Sequence, residues 1–293
     1  MLKKDIKNKK VNQEIMNKPN IVEIYGEDHS PWVQSVLLGM YDNNIHYNLR
    51  AVPTIGLLSK SGMMMPAMRI GRSEWKLDSM EILQTLGYDS VPSLEKKMIF
   101  KTWNGVTHRI DNPFKFFYSW SLCRGFFKNK LLNLFNHLLR PFTTIYFFTL
   151  LSLVSIKMRK FIIKEDFLDQ YAYWDKRLIN SDNKFFGGVS PNIIDYQLFG
   201  IIQSHCSIPY IPLIKTLQES SKLQSLRKWI SNMHVKFVDY PHLYSADYFN
   251  PKQKVVQNAS LVERVLYWLG LVALIIILPF TIMFLLFLLI RRK

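Results

Sequence analysis

The side chains able to carry chemistry in this chain are small hydroxyls and carboxylates at predicted helix starts. Ser30 precedes Pro31, Asp78 precedes Ser79, and Asn192 stands three residues before Asp195. Such residues cap helices, because a side-chain oxygen accepts a hydrogen bond from a backbone N–H that has no partner within the helix. The same N–H groups carry partial positive charge and suit anions. The Asn192-x-x-Asp195 pair reads as a folding element of this kind. Redox and metal chemistry are not expected. Cys123 and Cys206 lie 83 positions apart, outside any CxxC or zinc spacing, and read as free thiols of a reducing compartment. The seven histidines are scattered and form no HExxH pair, so no metal site is expected.

The elements that must position these residues follow from apolar spacing. IVEIY (21–25) is a short apolar run that fits a buried strand. Asp28, His29 and Ser30 form a turn, and Val33, Val36, Leu37 and Met40 then share one helical face. Pro31 suits the first position of that helix. HYNLRAV (46–52) reads as a second strand. AMRI (67–70) and EWKL (74–77) flank a Gly71-containing turn and predict a hairpin, giving a mixed four-stranded sheet. Asp78-Ser79-Met80-Glu81 opens the next helix with a capping-box pattern. Strand, helix, strand, hairpin, helix is the order of a thioredoxin-like unit, placed at residues 19–88. From 93 to 238 helical patterns dominate, and an all-helical domain is expected there. Within it, PFTTIYFFTLLSLVSI (141–156) is short for a membrane span and reads as a core or interfacial helix. Residues 1–18 read as a basic flexible arm, and 239–260, with two prolines and two asparagines, as a linker.

Formal net charge is +16, which points to an anionic partner. No nucleic-acid motif accompanies it, so anionic lipid is the expected partner and nucleic acid is not. Lipid is also indicated by the C-terminal end. From Val265 to Ile290 there is no charged side chain, and Arg291, Arg292 and Lys293 follow. A bilayer core needs only about 20 helical residues, so residues 264–290 are expected to form a transmembrane helix, a single-pass tail anchor. Because no apolar stretch follows MLKKDIKNKK, no secretory signal is expected and the head should be cytoplasmic.

Four elements in order give the chain a likeness: IYGEDHSPW (24–32), MPAM (65–68), DSMEIL (78–83) and GGVSPNIIDYQLFG (187–200). Over roughly residues 20–235 it resembles the cytosolic-type glutathione transferase superfamily. The fold class this implies is α+β: a thioredoxin-like N-terminal domain followed by an all-α glutathione-transferase C-terminal domain, here with a C-terminal transmembrane helix added. The resemblance places Ser30 opposite the glutathione sulfur, where a hydroxyl and helix N–H groups lower a thiol pKa. Tyr25 is the rival for that role. Pro66 is implied to be cis, with Met65 pairing its backbone to glutathione, and Asp78 and Ser79 to hold the γ-glutamyl end. Glutathione is the implied cosubstrate, and the resemblance admits a homodimer.

Two departures bear on activity. SPWV (30–33) has no cysteine, which disfavours thiol transfer through a mixed disulfide. TIGLLSKSGMM (54–64) does not match the usual short second helix. Two functions are therefore carried forward. One is a membrane-anchored glutathione transferase acting on an apolar electrophile, with the aromatic stretch 114–127 lining the acceptor pocket. The other is a catalytically silent, membrane-anchored adaptor that uses the same fold to bind a protein.

Overall fold

The computed structural model describes residues 22–62, 64–103, 112–125, 127, 129–157, 167–181, 183–249 and 258–291. The expected basic arm (1–18) lies outside the described residues, as do 250–257 of the expected linker and the last two basic residues. The chain forms two compact units, residues 1–105 with 165–256 and residues 106–164 with 257–293.

The first unit opens with β1 (Val22–Tyr25), α1 (Pro31–Asp42), β2 (Tyr47–Arg50), α2 (Ile55–Ser61), β3 (Ala67–Ile70) and α3 (Ser79–Thr85). The sheet order is β2-β1-β3. β1 runs parallel to β2, with Val22 opposite Tyr47, and antiparallel to β3, with Val22 opposite Ile70. This is the thioredoxin-like arrangement, and the Met65–Pro66 bond is cis as expected. Side chains alternate across β1. Val22 and Ile24 face the main core, while Tyr25 turns to a small cluster with Leu57 and Ala67.

Two expectations need correction. The fourth strand is reduced to one bridge between Met68 and Lys76. Ser73 Oγ closes the turn on the Ile70 N–H, and Asp78 already caps α3, so only 74–77 remain between turn and cap. The region 54–64, read as departing from a short second helix, contains one in α2, where Thr54 Oγ1 accepts from the Leu57 N–H. Its pattern was faint because Leu57 is the only residue of α2 that is buried.

The first unit continues with α4 (Ser93–Trp103). The next two helices, α5 (Pro113–Ser121) and α6 (Lys130–Lys157), belong to the second unit. The chain then returns to the first unit with α7 (Phe167–Ser181), α8 (Ile193–Ser207), α9 (Ile211–Glu219) and α10 (Gln224–Lys236). Every residue of α8 is buried. The Asn192–Asp195 capping box expected there is present, and Asp195 also accepts from the N–H groups of Phe186, Gly187 and Trp229. Residues 239–249, placed in the linker by sequence, pack into this unit. Tyr240, Leu243, Tyr244, Ala246 and Phe249 are buried, and their aromatic bulk overrides the signal of the neighbouring prolines.

α8 lies directly against α1. A Cβ on Gly200 would sit 2.4 Å from the Pro31 carbonyl oxygen and 3.1 Å from the Ser35 nitrogen. Backbone cannot yield as a side-chain tip can. Gly200→Leu is therefore expected to lower stability by about 3 kcal/mol, a fall of roughly 6–12 °C in melting temperature for a domain of this size. Thermal unfolding of the protein checks this, and an unchanged melting temperature contradicts the close packing.

The second unit holds α5, α6 and α11 (Leu261–Arg291). The apolar run 141–156 is the second half of α6, which starts at Lys130 and carries Pro141 inside it. Residues 106–157, placed by sequence in the all-helical domain, thus belong to a different body from α7–α10. α6 packs along α11 through Gly270, where a Cβ would meet the Leu138 carbonyl oxygen at 2.1 Å. Over Leu261–Phe280, α11 is long and apolar enough to cross a membrane, by length and composition.

Candidate functional site

A cleft of about 110 Å³ in the first unit holds most of the residues named from sequence. Its walls are Trp32, Met65, Pro66, Leu77, Asp78, Ser79, Met80 and Phe100. Four of the five site residues named from sequence meet here. Ser30 is not among the walls, although Trp32, two positions on, is.

Asp78 and Ser79 arrive at the cleft because a helix must start there. Asp78 Oδ1 accepts from the Met80 and Glu81 N–H groups at 2.8 and 3.1 Å. That oxygen is committed to capping. Ser79 is buried, and its Oγ accepts from Gln197 Nε2 of α8 at 3.0 Å. A hydroxyl has one donor and two acceptor sites. Among the described residues the Ser79 hydroxyl makes this one hydrogen bond. Met65 and Pro66 lead into β3 on another wall. Trp32 of α1 and Phe100 of α4 close it, their rings 5.3 Å apart, and Trp103 backs Trp32 at 5.9 Å.

Ser30 holds the N-cap position of α1 with extended backbone, φ −77° and ψ 130°, but its side chain makes no capping hydrogen bond. Its backbone is held instead: the Ser30 N–H donates to Glu27 O at 3.0 Å, and the Ser30 carbonyl accepts from Gln34 at 2.9 Å. The hydroxyl is thus not consumed by the helix it starts. Tyr25, the rival, is 1% exposed and packs on the opposite face of β1 from the main core, so it does not offer a hydroxyl to a ligand.

Sequence reasoning missed the group that fixes the loop before Ser30. Asp28 is buried, and its Oδ2 accepts from Tyr244 O–H and meets His242 Nδ1, both at 2.7 Å. His29 Nε2 lies 3.9 Å from Oδ1, and the His29 and Tyr244 rings are 5.4 Å apart. Burial alone would raise the Asp28 pKa. The His242 hydrogen bond and the charges of His29 and His242 outweigh it and hold the carboxyl well below the usual carboxylate range. Gln34 donates to the Asp28 carbonyl and accepts from Tyr240 O–H, tying α1 to the same segment. Burial and the Asp28 charge push Tyr47 up to about 12. No sequence signal could join Asp28 to residues 214 and 216 positions away. Trp32 and Phe100 were also missed, although an aromatic residue beside Ser30-Pro31 was a visible cue.

Within the second unit, the described aromatic residues of the stretch 114–127 pack against α6 and α11. Phe116 packs on Phe148 of α6 at 5.2 Å, Trp120 on Phe147 at 5.6 Å and Phe114 on Trp268 of α11 at 6.2 Å. Among the described residues no group of three or more His, Cys, Asp or Glu side chains is placed to hold a metal.

No family model and no curated protein matches the chain. Among solved structures it is similar to a glutathione transferase of Bombyx mori, at 13% identity with TM-score 0.42, over 85% of this chain and 98% of that one. It is similar to a maleylacetoacetate isomerase of Anaeromyxobacter dehalogenans, at 16% identity with TM-score 0.41, over 81% and 96%. It is similar to a dehydroascorbate reductase of Chlamydomonas reinhardtii, at 14% identity with TM-score 0.40, over 78% and 93%. The fold assignment rests on the strand order and register of the chain itself.

Proposed function

We propose that this chain is a membrane-anchored, glutathione-transferase-like protein that binds glutathione in the Met65–Ser79 cleft and conjugates or isomerises an apolar electrophile. One observation carries the reading: Met65-Pro66 and Asp78-Ser79, at the two ends of the β3 segment, wall a single cleft. In this reading Ser79 holds the γ-glutamyl carboxylate, Met65 offers backbone to the cysteinyl part, and Asp78 keeps the helix start in register. Ser30 donates to the developing thiolate, for which a hydroxyl that makes no capping bond is suited. Helix α11 is the anchor, entering the bilayer as a single pass with the first unit on the cytoplasmic side, where glutathione is abundant. The surplus of basic residues draws the protein toward anionic lipid.

Ser79→Ala removes one hydrogen bond to a charged group, on the order of 1.5–3 kcal/mol, so glutathione affinity is expected to fall roughly tenfold or more. Turnover at saturating glutathione should change less. A titration of wild type and variant side by side checks this, and equal affinities would remove Ser79 from the site.

The adaptor reading has its own observation. A cleft of about 110 Å³ is below the ~300–1,000 Å³ usual for small-molecule pockets, and Trp32 and Phe100 narrow it. An adaptor keeps the fold and binds a protein without occupying the cleft. The two readings part on whether glutathione binds at all.

A further inference from the structure

Within the second unit, the middle of α6 buries its ionisable side chains and exposes a row of apolar ones. Along α6, Phe135, Leu139, Phe142, Tyr146, Leu150 and Leu153 recur at steps of four, three, four, four and three, and each is at least 41% exposed. That is one continuous helical face. It runs for roughly 19 residues, about 28 Å. Three polar side chains lie on the other face, while Thr149, an uncharged hydroxyl, is exposed beside Tyr146 and Leu153. His137, Arg140 and Thr144 are at most 6% exposed. Arg140 donates to the carbonyls of Cys123 at 2.7 Å and Trp120 at 3.2 Å, Thr144 donates to the Arg140 carbonyl, and His137 lies 3.4 Å from Glu263. Lys130 and Lys157 bracket the helix. A helix facing water shows the reverse sorting, whereas lipid requires this one, because a charge in the bilayer must turn inward and find partners.

The neighbouring helix supplies the second observation. Asn133 and His137 meet Glu263, and further along Leu138 meets Gly270. The two helices therefore advance in the same direction from the same end, joined where a glycine lets backbones touch, as membrane helices commonly are. Past this contact, Ile275, Ile276 and Phe280 of α11 are each at least 58% exposed.

We propose that α6 is embedded in the bilayer beside α11, with its Phe135–Leu153 face against lipid acyl chains, so that the second unit as a whole is a membrane body and not a single anchoring helix. The proposal rests on α11 being the anchor and is independent of whether the cleft binds glutathione.

The test uses the full-length protein in phosphatidylcholine vesicles containing a phospholipid with a diazirine on its acyl chain. After photolysis, adducts are mapped by mass spectrometry. The expected pattern is labelling of α11 together with α6 at Phe135, Leu139, Phe142, Tyr146, Leu150 and Leu153, with none at His137, Arg140 or Thr144. Labelled α11 with unlabelled α6 overturns the proposal and leaves the anchor standing; α6 would then be covered by a second copy of the chain or by protein of another kind. If neither helix is labelled, both the anchor and the proposal fall. Adding glutathione should leave the pattern unchanged.

Discussion

Asp195→Ala is expected to be the most destabilising single change in the first unit, lowering the unfolding free energy by about 3–5 kcal/mol. The carboxylate is fully buried and gathers four N–H donors from three parts of the chain. Oδ1 accepts from Phe186 at 2.9 Å and from the Trp229 indole at 2.7 Å; Oδ2 accepts from Gly187 at 3.0 Å and from Asn192 at 2.9 Å. Burial pushes the carboxyl up to about 6, although all four donors favour its ionised form. Truncation strands every donor at once, each worth on the order of 1–3 kcal/mol when left buried without a partner. α8, the 185–188 loop and α10 would lose their common tie. Chemical denaturation measures the loss, and a variant within 1 kcal/mol of wild type would show that these donors find other partners.

Ser30→Ala is expected to cut glutathione-dependent turnover tenfold or more while barely moving stability. A hydrogen bond to a developing thiolate is worth roughly 1.5–3 kcal/mol, and each 1.4 kcal/mol in the barrier is a factor of ten. The loss of an ordinary cap costs about 1 kcal/mol, but the Ser30 hydroxyl makes no capping bond, so the stability change should be smaller. The split distinguishes a thiol activator from a structural serine. Lost stability with unchanged turnover would assign Ser30 to the fold alone. The opposite pattern is expected of Ser79, whose loss acts on binding.

How much of this could be read from the chain depends on how local each cause is. β1, α1 and the Asn192–Asp195 box were visible because apolar spacing and capping residues lie within a few positions of one another. The pairing of Met65-Pro66 with Asp78-Ser79 was placed by family resemblance, and the structure brings the two pairs together in one cleft. The helix at 55–61 was hidden because it buries a single leucine, and the 74–77 strand was overstated because its turn and the Asp78 cap leave it no length. The segment 239–249 looked like a linker by its prolines, yet Tyr240, Tyr244 and Phe249 find a core that only the folded chain provides. The Asp28–His242 contact joins residues 214 positions apart, a distance at which sequence pattern carries no information. The division of the helical half into two bodies was also out of reach: the sorting of Arg140 inward and Phe142 outward on α6 is a property of its neighbours, not of its own composition.

The central claim is that the Met65–Ser79 cleft takes glutathione. Isothermal titration of the full-length, detergent-solubilised protein with reduced glutathione tests it most directly. The account predicts a single saturable site with a dissociation constant in the millimolar range or below, weakened by Ser79→Ala. No heat and no thermal stabilisation at millimolar glutathione would contradict it and leave the fold as a membrane-held scaffold for a protein partner.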